Sequence, residues 1–297
     1  MFSNAKNANP LPAVNFHLWQ PCNMRCHFCF ATFQDVKQSC LPKGHLPRAE
    51  AIMVVKALCE AGAGKITFAG GEPTLCPWLP DLLKVTKSYG VTTMIVTNGS
   101  RLTPEWLNDY HSHIDWIALS VDSLNLDVNF HAGRKEPGRL APDLSWYLST
   151  AQLIKSAGIR FKVNTVVNRL NAEEDLSGFI ASSQPERWKL FQVLPIKGQN
   201  DGKVDDLLLL PGQFDSFVER HRQLLPDTTI VAESNEDMTG SYLMVDPAGR
   251  FFDNVDGRHF YSKEILMVGI FEALKDIRFD RAKFLQRDGL YDWGVSI

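Results

Sequence analysis

The chain has 297 residues and a formal net charge of -3, a length within reach of one α/β barrel with appendages. Hydrophobic residues make up 44% and charged residues 22%, the balance of a soluble globular protein with a large core. Near-neutral bulk charge leaves no footprint of a nucleic-acid duplex or an anionic membrane as partner, and no apolar run is long enough to span a bilayer.

The opening MFSNAKNANPLPAV has neither a charged start followed by an apolar stretch nor an amphipathic pattern. It reads as a flexible arm over residues 1–13 of a cytoplasmic protein. Short apolar runs then alternate with helix-period segments. The predicted strands are 15–19, 65–69, 92–97, 115–121, 160–167 and 187–193; helices are predicted near 47–61, 80–89, 103–110, 143–157 and 212–225. This alternation implies right-handed crossovers and a parallel sheet. Six units make a partial (βα)6 barrel over residues 14–225, short of the eight in a closed one. The stretch 226–297 breaks the rhythm: SYLMVDPAGRFFDN reads as two extended segments round a DPAG turn. It is expected to be a C-terminal extension packed on the barrel and covering its mouth.

The six cysteines lie at 22, 26, 29, 40, 59 and 76. A secreted disulfide scaffold of this length would spread them. Cys59 falls in a helical run and reads as a small buried residue, and Cys40 and Cys76 as unpaired thiols. Cys22, Cys26 and Cys29, in CNMRCHFCF, are different. A structural zinc site closes with four ligands and a disulfide needs an even count, so three thiols form an incomplete site or one left open for a purpose. This loop and the segments GGEP, TNGS and SVDS each follow a predicted strand. Ligands of parallel α/β folds gather at that end, so the four should converge.

Three close thiolates suit an iron–sulfur cluster with one iron free of protein ligands, and CNMRCHFCF resembles the cluster loop of the radical S-adenosylmethionine (SAM) superfamily. The resemblance implies a [4Fe–4S] cluster on Cys22, Cys26 and Cys29, with S-adenosyl-L-methionine chelating the fourth iron and Phe28 shielding it. One electron into the sulfonium would release a 5′-deoxyadenosyl radical. FAGGEP, Phe68–Pro73, matches the superfamily's methionine-binding element: Gly70 and Gly71 for close backbone approach to a ligand, Glu72 to accept from an ammonium. Asn98, Ser120 and Arg134 are further candidates on the SAM side.

A more specific resemblance, from about Val14 to Trp293, is to the viperin family of nucleoside triphosphate dehydratases. VNFHLWQPCNMRCHFCF, KITFAGGEP, FKVNTVVNRLN, RWKLFQVL, ESNEDMTGSYLMVD and FLQRDGLYDW carry it in order. The residues point the same way on their own. Lys162 and Asn164 share one strand face, and Arg187 and Lys189 another, with Trp188 turned opposite. Any one of them is most simply a strand-end charge pointing to water; as a set beside a SAM site they form a basic patch suited to a triphosphate. By resemblance Asn15, His17 and Lys65 also face the nucleotide. Tyr242 approaches the ribose as proton donor or hydrogen-atom relay, unless it is a buried structural tyrosine.

The implied reaction removes hydrogen from C4′ and the 3′-hydroxyl of CTP, with UTP and GTP as alternatives. It gives a 3′-deoxy-3′,4′-didehydro nucleotide, a chain terminator with a role in antiviral defence. Expected partners are the nucleotide, a one-electron donor such as flavodoxin or ferredoxin, and iron–sulfur assembly machinery, with no nucleic acid and no membrane; the chain is expected to be a monomer. Two features depart from animal viperins: this sequence has no N-terminal amphipathic helix and runs on past Trp293 to GVSI, which implies a microbial homologue with another cluster-delivery partner. The rivals are a radical SAM enzyme acting on a different nucleotide or a peptide, and a zinc- or nucleotide-binding module. No cysteine follows Cys76, so an all-cysteine auxiliary cluster has no ligands.

Overall fold

The computed structural model describes residues 9–294. Among these residues ten strands form one sheet: β1 (Val14–Trp19), β2 (Lys65–Gly70), β3 (Thr92–Thr97), β4 (Trp116–Ser120), β5 (Arg160–Val167), β6 (Arg187–Gln192), β7 (Ile230–Glu233), β8 (Leu243–Val245), β9 (Arg250–Asp253) and β10 (Phe260–Glu264). The order is β10-β9-β8-β1-β2-β3-β4-β5-β6-β7. Strands β1 to β7 are parallel, β8 runs parallel to β1, and β9 and β10 are antiparallel. Among the described residues the end strands β10 and β7 are not paired with each other, so the barrel stays open.

Period-two alternation decides what faces in. On β5 and β6, Phe161, Val163, Trp188 and Leu190 point outward into the main apolar core, where Trp188 meets Phe217 and His221 of the helix Gln213–Leu224. The intervening Lys162, Asn164, Arg187 and Lys189 turn inward, and the register sets Lys162 beside Arg187 and Asn164 beside Lys189. Leu58, Leu83, Ile154 and Phe179 lie in helices of the same outer layer.

Residues 226–294 extend the sheet at both ends, with β7 beyond β6 and β8 to β10 beyond β1. Met238, Tyr242, Met244 and Asn254 wall the interior cavity. The last segment packs at the opposite end from the expected mouth: Tyr291 lies edge-on to Trp116, the first residue of β4, whose indole N–H donates to the Trp293 carbonyl at 3.2 Å. Of the arm expected over residues 1–13, residues 1–8 lie outside the described residues, as do the last three of GVSI. From Asn9 the chain is held: the Asn9 amide donates to Gly62 O at 2.7 Å, and Leu11 is buried. The helices Gln34–Ser39, Leu126–His131 and Ser177–Ser183 were not predicted; six or seven residues make too few turns to display an apolar stripe.

Candidate active site

The loops after β1 to β4 converge as expected on a cavity of about 690 Å³. Its walls include Cys22, Cys26 and Cys29, then Gly70 to Glu72, Asn98, Ser120 and Arg134; Asn15, His17, Asn164 and Tyr242 line its inner side. All six cysteines are free thiols. Burial pushes Cys22 up to about 11 and Cys26 to about 12, and raises Cys29. Phe28 packs inward against Ala132, Val193, Val204 and Leu207. Among the described residues no three His, Cys, Asp or Glu side chains surround a single point closely enough for one metal ion. Three free thiols on one loop at the cavity wall, without a fourth cysteine among the cavity residues, are the donor set of a cluster that leaves one iron free of protein ligands. By that donor set the loop fits an iron–sulfur cluster.

The glycines of GGEP line the cavity and also make room for the chain's own backbone. A Cβ on Gly70 would lie 2.4 Å from Trp19 O, and one on Gly71 would lie 2.3 Å from both Gln20 O and Pro21 O. What comes close is the backbone leading into the cysteine loop, which receives hydrogen bonds from Gly71 N at 2.5 Å and Glu72 N at 3.0 Å. Glu72 is likewise engaged by its own neighbours. Its Oε1 accepts from Thr74 N at 3.0 Å, Thr74 Oγ1 at 2.5 Å and Thr97 Oγ1 at 2.7 Å, and its Oε2 accepts from Asn98 N at 2.8 Å. Asn98 in turn donates to Asn23 of the cysteine loop at 2.9 Å. Arg134 is brought in from its loop: it pairs with buried Asp122 at 2.7 Å, donates to Tyr147 OH at 3.3 Å and bonds Ser120 O. Asp122 lies within SVDS and was missed; its Oδ1 also accepts from Val166 N at 2.7 Å.

Below the cavity, toward the amino ends of the strands, lies a second cluster. Lys65, Lys162, Arg187 and Lys189 are all buried, and buried Arg287, which no sequence pattern indicated, joins them. Among the described residues the only acids bonded to them are Glu233, fully buried, and Asp288, half exposed. Lys189 pairs with Glu233 and donates to Tyr242 OH at 2.9 Å; Tyr242 OH donates to Glu233. Arg287 lies 3.5 Å over the Tyr242 ring and 3.3 Å from Glu233. Arg187 pairs with Asp288 at 2.6 Å, and Lys65 reaches Tyr291 OH at 3.3 Å. No hydrogen bond or ion pair ties down the Lys162 ammonium among the described residues. Burial, with like charges nearby, lowers Lys65 and Lys162 well below ordinary lysine, and Lys189 to about 8. His17 sits in a box of Phe30, Phe33 and Phe252 with both ring nitrogens unpartnered among the described residues, and burial depresses it to about 3.

An open parallel barrel with a three-cysteine loop beyond its first strand defines a class. Residues 19–180 match the Radical SAM superfamily model. The solved structure of histidine-tagged anSMEcpe with bound AdoMet has the same fold at a TM-score of 0.69, with 17% identity, over 90% of this chain and 78% of that one. The S-adenosylmethionine-dependent nucleotide dehydratase of Flammeovirga pacifica is 49% identical over 96% of this chain and 97% of its own. That of Lacinutrix mariniflava is 52% identical over 99% of this chain, which spans 61% of that relative's length. The chain thus belongs to the radical SAM superfamily and, within it, to the family of S-adenosylmethionine-dependent nucleotide dehydratases. The superfamily uses a [4Fe–4S] cluster and SAM.

Proposed function

We propose that the protein dehydrates a nucleoside triphosphate, CTP before UTP or GTP, to its 3′-deoxy-3′,4′-didehydro analogue, a chain-terminating nucleotide that serves antiviral defence. The observation that carries this reading is the excess of buried cations next to the cysteine-walled cavity. Burying an unpaired charge costs several kcal/mol, and five cations face two carboxylates. A polyphosphate supplies the missing negative charge through charge-assisted bonds.

Cys22, Cys26 and Cys29 would hold the cluster, with Phe28 shielding it, and the walls from Gly70, Gly71, Glu72, Asn98, Ser120 and Arg134 would seat SAM. When bound, the pair supplies a radical able to take hydrogen from C4′. The chain's own residues place the ribose. Lys65, Lys162, Arg187, Lys189 and Arg287 anchor the phosphates, while Asn15, His17 and Asn164 line the cavity above them. Tyr242 alone among the residues hydrogen-bonded to Glu233 also lines the cavity. Its phenol can pass a proton to the departing 3′-hydroxyl as Lys189, lowered to about 8, replaces it.

The test is reconstituted protein with SAM, dithionite and each of the four triphosphates deuterated at C4′. Deuterium should appear in 5′-deoxyadenosine, more from CTP than from CMP or cytidine, because the phosphate contacts position the ribose. No transfer from any triphosphate would overturn the reading. Among the described residues no helix is long and apolar enough to cross a membrane.

A further inference from the structure

We propose that the site takes its nucleoside triphosphate free of magnesium, so that Mg2+ competes for the substrate instead of arriving with it. This rests on the reading of the buried basic cluster as the phosphate site.

The donor set comes first. Magnesium demands a near-octahedral set of oxygens, and protein sites that receive it with a triphosphate give it carboxylates beside the phosphate oxygens and waters. Among the described residues the cluster has no carboxylate oxygens to spare inside. Both oxygens of Glu233 are engaged: Oε1 pairs with Lys189 and, at 3.3 Å, with Arg287, and Oε2 accepts from Tyr242 OH. Asp288 is half exposed, and its Oδ2 is held by Arg187 at 2.6 Å. Asn164, paired with Lys189 across the β5–β6 ladder, has an Oδ1 without a partner among the described residues, but that is a single neutral amide oxygen.

The field is the second argument. The charges acting most strongly on Lys65, Lys162 and Lys189 are one another's and those of Arg187, Arg287 and Glu233. A dication among these buried cations meets repulsion in an interior that screens it poorly. It also cancels part of the charge the phosphates bring, and so part of what offsets the burial of the cluster.

The side chains themselves make a competing demand on the same oxygens. Arg187 Nε is buried with no partner among the described residues, and each guanidinium presents a flat fork suited to phosphate oxygens. An oxygen turned to a metal ion is a poorer acceptor for these donors. Enzymes that transfer phosphoryl groups keep the metal on the phosphates because the phosphates react. Here the reacting atoms are on the ribose and the phosphates serve as the handle, so cations of the chain suffice.

The experiment titrates the reconstituted holoenzyme, with SAM and without reductant, using CTP and inorganic tripolyphosphate, which makes no demand on the base. One series contains EDTA and the other Mg2+ at about ten times its dissociation constant for each ligand, with ionic strength matched by KCl because salt screens the cluster too. About one ligand in eleven is then free of metal, so the apparent Kd should rise about tenfold. The exchange-inert chromium(III) complex of CTP, which cannot shed its metal, should fail to displace CTP at equal concentration. Equal or tighter binding in magnesium, or displacement by the chromium complex, overturns the inference and leaves the phosphate site standing. Binding of neither ligand in either series overturns the phosphate site, and the inference with it.

Discussion

The two ends of the barrel bury charge in opposite ways. At the carboxyl end every buried ion is answered from within the chain: Glu72 has four donors, and Arg134 has Asp122, Tyr147 and the Ser120 carbonyl. At the amino end cations outnumber the acids bonded to them, and Lys162 has no bonded partner among the described residues. Internal pairing holds a surface in one shape before anything binds, as loops that must receive a cofactor require. An unpaired buried charge stores binding energy for an incoming anion. The cofactor end is therefore finished by folding, and the substrate end by its ligand.

Removing one member of each set should move stability in opposite directions. Arg134→Ala strands Asp122 in the interior, and breaking such a pair costs about 3–5 kcal/mol. Chemical denaturation of the ligand-free protein measures it; a loss below about 1 kcal/mol would end the distinction. Lys162→Met removes a buried charge that nothing balances, so the ligand-free protein should become more stable. Its affinity for a triphosphate should fall by about tenfold or more, since a charge-assisted contact contributes about 1.5–3 kcal/mol. If the variant is less stable than wild type, Lys162 is already satisfied and the contrast fails.

The same comparison is sharpened by adding the anion without the nucleoside. Tripolyphosphate at a hundred times its Kd should stabilise wild type by about 2.7 kcal/mol, read as a thermal shift. In Lys162→Met at the same concentration the shift should shrink. In Glu72→Gln, at the other end, the tripolyphosphate increment should match wild type even though the starting stability differs. An equal increment in all three proteins would place the anion outside the basic cluster.

How far each end could be read from sequence follows from the same difference. Lys162, Asn164, Arg187 and Lys189 are legible because alternation along two neighbouring strands puts them on one face. The three cysteines and GGEP are legible as motifs, yet their geometry is not: nothing in the string shows that Gly70 and Gly71 make room for Trp19–Pro21, or that Glu72 spends its lone pairs on Thr74, Thr97 and Asn98. Glu233 and Arg287 escaped altogether. The strand that carries Glu233 has only four residues, and Arg287 follows a helix of six, so neither segment is long enough for periodicity to show which way a side chain turns. Arg134 sits in a loop, and its value became visible only with Asp122 beside it.

The smallest effect concerns His17, on the cavity wall, and His259, which packs with it against Phe33 and Phe252. His259 lies against Phe252 at 4.7 Å and Phe33 at 5.5 Å, and its Nε2 has no partner among the described residues. Burial depresses it to about 4, although Asp35 and Asp253 pull the other way, and Tyr261 OH lies 3.3 Å from Nδ1. A histidine depressed on folding favours the neutral form in the native state. Its contribution is therefore present above the unfolded value of about 6.5 and is lost as pH falls toward 4. Between pH 7 and pH 5 that loss is on the order of 2 kcal/mol for one such group. His259→Phe keeps the ring packing and removes the titration, so its stability should fall less than that of wild type over this interval, with little difference at pH 7. Denaturation curves at the two pH values read the effect directly. His17, depressed further by the same burial, remains in the variant and should leave a residual slope of similar size. Parallel profiles for the two proteins would mean that His259 is already charged or freely solvated in the native state. The wall beside His17 would then belong with the substrate end, as a place that still holds charge for a ligand to meet.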